Sequence, residues 1–144
     1  MVLAQYSLNF CVRQKIPAVL VFLDLDEFKA INDKFGHAEG DTVLIAFASQ
    51  MKSAFRDSDL FARLGGDEFV ALLTSTSKQQ AEYLIERFIH SLKKYNQEAN
   101  RGYDVSFSSG IVEFNPEKHG AIEGLLATGD SLMYEIKNAK RRLR

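Results

Sequence analysis

The run AVLVFLDL, from Ala18 to Leu25, constrains the fold more than any other stretch of the chain. It is unbroken apolar sequence of strand length, opened just after Pro17. A strand with one wet face would alternate, so this one reads as a central strand buried on both faces. It ends on an acid, Asp24, and strand ends are where a sheet of this kind exposes functional groups. An unpaired carboxylate directly after VLVFL would be costly to bury. Asp24 and Asp26 have the same parity and share a face if the strand continues. Asp26 has a second reading, as the N-cap of a short helix spelled by EFKAINDKF and closed by Gly36.

The other elements follow from periodicity. Leu3, Tyr6, Phe10 and Arg13 give a helical pattern before Pro17. Asp41-Thr42 opens a helix in which Val43, Leu44, Phe47, Ala48, Met51 and Phe55 share one face. Strands are expected over Asp59 to Leu64 and Asp67 to Thr74. Ser77 caps a long helix with an Ala81, Leu84, Ile85, Phe88, Ile89, Leu92 stripe. Asp104 to Phe114 alternates as a strand, with Val105, Phe107, Ser109 and Ile111 on one face, followed by a loop at Asn115-Pro116. The last helix carries Ile122, Leu125, Leu126, Gly129, Leu132, Met133 and Ile136. The order is helix, strand, helix, helix, hairpin, helix, strand, helix. With helices packed on one side of a sheet, the class is α+β.

Composition sets bounds. The chain has 144 residues, 46% of them hydrophobic, which suits one ordinary globular domain. A net charge of -1 argues against a nucleic-acid binder, although basic residues cluster in KNAKRRLR at the end. Cys11 is the single cysteine, so no internal disulfide forms, and no Cys/His cluster has zinc spacing. A cytoplasmic setting fits best, with a membrane-anchored parent protein left open. No apolar run reaches ~18 residues, so no direct membrane contact is expected from this segment.

The chemistry concentrates in RLGGDEFVALL, from Arg63 to Leu73. Gly65-Gly66 suits the positive dihedrals of a two-residue turn, and alone is a structural signal. Adjacent acids at such a tip, Asp67 and Glu68, repel, and a divalent cation relieves that. Mg²⁺ takes one or two carboxylates plus substrate phosphates. If the hairpin lies beside the end of the Ala18–Leu25 strand, Asp24 and Asp67 can share an ion. Lys137 and Arg141, four apart on one helical face, either answer the helix dipole or grip a triphosphate.

Together, FLDLDEFKAINDKFGHAEGD, RLGGDEF and MYEIKNAKR resemble the GGDEF family, the diguanylate cyclases, over about Ala18 to Arg142. The resemblance implies a fold similar to the palm of class III nucleotide cyclases and many polymerases: a central antiparallel sheet wrapped by helices. It implies condensation of two GTP into cyclic di-GMP, releasing two pyrophosphates, between two subunits of a homodimer. Mg²⁺ is the implied cofactor, with Mn²⁺ able to substitute. Asp24, the Leu25 carbonyl and Asp67 become metal ligands, and Glu68 the base for the 3′-hydroxyl or a second-metal ligand. Asn32 and Asp41 would bind guanine, a base that a carboxylate suits by accepting from its N–H groups. His37 would line the nucleotide site. Gly65 and Gly66 would admit the nucleotide, and Lys29, Lys137 and Arg141 would meet the phosphates.

Arg56-Asp57-Ser58-Asp59 matches the family's RxxD inhibitory site at the family's offset from Gly65. There Arg56 and Asp59 would bind cyclic di-GMP. Two departures stand out. A DxLTGLxNRR-like opening segment is absent, so the chain reads as a single GGDEF domain in fragment form, and Lys140 stands where the family commonly has Gly. The competing function is a catalytically inactive module that binds GTP or cyclic di-GMP.

Overall fold

A computed structural model describes residues 2–142; the side chains of Val2 and Arg141 lie outside the described set, as do residues 1, 143 and 144. The elements are α1 (Val2–Gln14), β1 (Ala18–Leu25), α2 (Phe28–Phe35), α3 (His37–Ala54), β2 (Leu60–Gly65), β3 (Glu68–Thr74), α4 (Lys78–Ala99), β4 (Phe107–Glu113), α5 (Pro116–His119) and α6 (Ile122–Arg142). The expected order holds, with the short α5 added where a loop was expected. The four strands form one antiparallel sheet in the order β2-β3-β1-β4.

Burial of β1 on both faces needs two helical layers, and the sheet has them. Val19, Val21, Leu23 and Leu25 pack with α3 and α4 around Phe47, Met51, Ile85 and Phe88. Leu20 and Phe22 point the other way, to Leu8 and Cys11 of α1 and to Ile122, Leu125 and Met133 of α6. Helices on one side only, as the element pattern suggested, would have left that second face wet. In α1 the expected stripe is the outward one. Leu3, Tyr6 and Phe10 are exposed, while Leu8 and Cys11 are buried.

Two boundaries move for local reasons. Helix α3 begins at His37 rather than near Asp41, because the chain turns from α2 on Gly36 alone, at φ 95°. Strand β4 begins at Phe107 rather than Asp104. The Asn96 amide of α4 already takes the Val105 N–H and C=O, at 2.8 and 2.9 Å, out of reach of a strand ladder. Helix α4 is closed at its start by a reciprocal capping box between Ser77 and Gln80, as the serine predicted.

Candidate active site

The even-numbered face of β1 runs Leu20, Phe22, Asp24, so Asp24 emerges where that face meets α6. On α6, Lys137 lies one turn past the buried Met133. Its Nζ stands 3.2 Å from Asp24 Oδ1, 3.4 Å from the Leu25 carbonyl oxygen and 3.3 Å from Asp26 Oδ1. Lys140 Nζ is 3.0 Å from the other oxygen of Asp26. The two acids do converge, although β1 stops at Leu25.

Asp26 does not cap α2. Glu27 takes the N-cap position in the left-handed region (φ 57°). The Asp26 carboxylate turns instead to β4 and its approach, accepting from the Ser106 and Ser108 hydroxyls at 3.2 and 2.8 Å. Its backbone N–H donates to the Ser106 carbonyl at 2.9 Å.

The hairpin tip lies beside the end of β1. Asp24 pairs directly with Glu68 across the antiparallel ladder, and the Leu25 N–H donates to the Asp67 carbonyl at 3.0 Å. The turn residues are Gly66-Asp67 rather than the two glycines. Only Gly66 has a positive φ, at 39°, and the register slips between Arg63 and Gly65. A Cβ on either glycine would meet nothing within 4 Å, so both face open space at the hairpin tip.

Electrostatics separate the two β1 acids. Burial, then the charge of Asp67, raises the Asp24 carboxyl above its ordinary range, against the opposing pull of Lys137. Burial acts on Asp26 as well, but Ser108, Lys140 and Lys137 together outweigh it and hold that carboxyl low. Asp24 is therefore the less compensated acid, and Asp26 the better compensated one.

Two clefts meet at Lys137. One, of about 400 Å³, is walled by Asp24, Glu68, Asp130, Tyr134 and Asn138. The other, of about 280 Å³, is walled by Asp67, Lys29, Lys140 and the first turn of α2. The expected phosphate lysines Lys29 and Lys137 thus share a cavity with Asp67. Arg141 continues the α6 backbone, and its side chain is outside the described residues. Asn32, His37 and Asp41 line neither cleft and sit together at the α2–α3 corner. There the Asn32 Oδ1 is 1.8 Å from where a Cβ on Gly40 would be. Only glycine at 40 leaves room for that amide.

Arg56 and Asp59 are paired with each other. The Asp59 side chain is fully covered and accepts from the Arg56 backbone N–H at 2.9 Å and from its guanidinium at 3.0 Å. Arg56 also donates to the Thr74 carbonyl at 2.7 Å and the Thr76 hydroxyl at 2.9 Å, and its side chain stays 51% exposed. In this arrangement Arg56 faces solvent, and Asp59 orients it from beneath.

Among the described residues, no three carboxylate, imidazole or thiol side chains are gathered closely enough to cage a metal. The donors around Lys137 Nζ nevertheless suit a hard divalent cation. A carboxylate and a backbone carbonyl already hold an ammonium, and the Asp67 charge is close enough to raise Asp24.

The family profile described as "Diguanylate cyclase, GGDEF domain" matches residues 3–143. The chain belongs to the GGDEF family. Over 123 residues, 85% of its length, this GGDEF domain is 42% identical to the probable diguanylate cyclase DgcE of Escherichia coli K12. The match covers 11% of that relative, and the chain spans between 11% and 38% of the length of the curated relatives it resembles. Among solved structures, the GGDEF domain of TpbB (YfiN) from Pseudomonas aeruginosa aligns with TM-score 0.82 at 32% identity, covering 94% of this chain and 85% of that one. A microbial GGDEF domain described in its interaction with cyclic di-GMP aligns with TM-score 0.79 at 27% identity, over 94% and 82%.

Sequence reasoning missed several residues of this GGDEF domain's clefts. Asp130, Tyr134 and Asn138 fall on one helical face with the expected Lys137, a polar stripe beside the apolar one. That spacing was available in the sequence. The role of Asp26 was not, since its partners Ser106, Ser108 and Lys140 come from far along the chain. No described helix is long and apolar enough to cross a membrane.

Proposed function

We propose that this GGDEF domain is half of a diguanylate cyclase. Two subunits, each holding one GTP, would face each other, and the 3′-hydroxyl of each nucleotide would attack the α-phosphorus of the other. Two phosphodiester bonds form, two pyrophosphates leave, and cyclic di-GMP results. The observation that carries the reading is the meeting of an under-compensated Asp24, the Glu68 opposite it and the Asp67 turn with the α6 lysines, in a chain of this family.

Asp24, the Leu25 carbonyl and Asp67 would hold the divalent ion on which the family's chemistry depends, with Mg²⁺ the expected one and Mn²⁺ a substitute. When bound, that ion neutralises phosphate charge and acidifies the attacking hydroxyl. Glu68, exposed at the hairpin tip, would accept the 3′-hydroxyl proton. Lys29, Lys137 and Arg141 would set positive charge around the departing pyrophosphate. Asn32 and Asp41 would read the guanine edge and His37 would border it. The open space beside Gly65 and Gly66 would receive the nucleotide. Cyclic di-GMP would return to Arg56, oriented by Asp59, as an inhibitor.

The test is incubation with GTP and Mg²⁺ or Mn²⁺ over a protein concentration series, with products identified by mass spectrometry. Cyclic di-GMP and pyrophosphate should form with a specific activity that rises with protein concentration. Asp67→Asn and Glu68→Gln should each abolish turnover. Turnover surviving in both variants would reject these roles, and GTP binding without any product would favour a regulatory module instead.

A further inference from the structure

Lys137 holds the same oxygens that the cyclase reading gives to the metal. Its Nζ contacts Asp24 Oδ1 and the Leu25 carbonyl at 3.2 and 3.4 Å. A cation that takes Asp24 Oδ1 and the Leu25 carbonyl oxygen must displace the ammonium already on them. We infer that Lys137 is the resident counter-ion of the nucleotide-free site, released to the triphosphate when metal and nucleotide enter together. The inference rests on the cyclase reading for the identity of both ligands.

Three features favour exchange over a fixed ion pair. First, Lys137 lies where the two clefts meet and keeps 24% of its side chain exposed, so it can turn from one to the other. Second, its departure does not strand Asp26, which keeps Lys140 at 3.0 Å and the Ser106 and Ser108 hydroxyls. Lys140, the residue that departs from the family's usual glycine, thereby gains a role. Third, departure does strand Asp24, whose one ion pair among the described residues is the 3.2 Å contact with Lys137, unless another cation replaces the ammonium. Lys137 and the metal therefore exclude each other at Asp24, and triphosphate, by giving Lys137 a new partner, removes the conflict. Metal and nucleotide then bind with positive coupling, reciprocal by linkage.

The experiment titrates the intact chain with Mn²⁺ alone, read by the loss of the free-ion paramagnetic resonance signal. It is repeated with α,β-methylene GTP, which cannot release pyrophosphate. Lys137→Met should bind Mn²⁺ alone about tenfold more tightly than the parent, an ordinary coupling magnitude, and should bind the analogue more weakly. Lys140→Ala should not tighten Mn²⁺ binding, because Asp26 then depends on Lys137 and holds it in place. General electrostatics predicts the opposite, since deleting any nearby lysine should favour a cation. Lys137→Gln, which keeps a donor without the charge, replaces Lys137→Met if the latter does not fold. Equal tightening by both lysine deletions, or none by Lys137→Met, overturns the inference and leaves the cyclase reading standing. Absence of Mn²⁺ binding in every protein, with and without the analogue, overturns the inference and the cation site together.

Discussion

Gly129→Ala tests how closely Lys137 depends on the packing behind it. In most helix interiors this change stabilises by up to about 1 kcal/mol, since glycine is the poorer helix former. Here α6 lies against β1 with no space between them. A Cβ at 129 would sit 1.6 Å from Phe22 Cε2, and unstrained contact needs about 3.4 Å, so the interface must open by about 1.8 Å. The Phe22 ring cannot simply turn away, being only 4% exposed. Overpacking of this kind costs about 1–3 kcal/mol, which offsets or exceeds the propensity gain. The expected net loss of about 0–2 kcal/mol corresponds to a melting temperature lower by up to roughly 8 °C. Lys137 lies two turns further along the helix, about 12 Å away. A helix displaced by such an amount cannot keep contacts of 3.2–3.4 Å with Asp24 and Leu25. Thermal melts should therefore show lost stability, and steady-state assays should show a raised KM for GTP with a lowered kcat. A variant that melts about 1 kcal/mol higher and keeps full activity would refute the packing argument.

Three more outcomes follow from named contacts. Asp24→Asn should raise the melting temperature of the metal-free protein at neutral pH while abolishing activity. The folded-state pKa of Asp24 is raised, so its ionised form weakens the fold above that pKa, and the penalty fades as pH falls toward the unfolded value. The gain from Asn should shrink on acidification through the carboxylate range, and a variant melting below the parent at pH 7 would contradict the sign. Ser77→Ala removes one side of the α4 capping box and should cost about 1 kcal/mol in urea unfolding; no change in midpoint would deny the cap its role. Arg56→Ala should weaken cyclic di-GMP binding by calorimetry at least tenfold, about 1.4 kcal/mol, and unchanged affinity would remove the inhibitory site.

Much of this molecule was readable from sequence because its periodicities are clean. The apolar β1 run, the α3 and α6 stripes and the Ser77 cap emerge in the structure as expected. So does the placement of the Asp67 turn beside the end of β1. Other features were hidden for physical reasons. Periodicity shows that a helix has an apolar face, but not which side of the sheet receives it. In α1, with apolar residues all round, it pointed to the exposed face. An aspartate before a helix reads as a cap, and only the long-range serines and lysines reveal that Asp26 is drawn elsewhere. The RxxD spacing gave no sign that Asp59 lies buried beneath Arg56.

The central claim is that Asp24 and Asp67 hold one divalent ion over a nucleoside triphosphate. An anomalous-scattering map of crystals grown with Mn²⁺ and α,β-methylene GTP tests it most directly. The account predicts a single strong peak bounded by the Asp24 carboxylate, the Leu25 carbonyl, the Asp67 carboxylate and the phosphates, with Lys137 turned to the triphosphate. A peak elsewhere, or none, with nucleotide bound while Lys137 still grips Asp24, would contradict it.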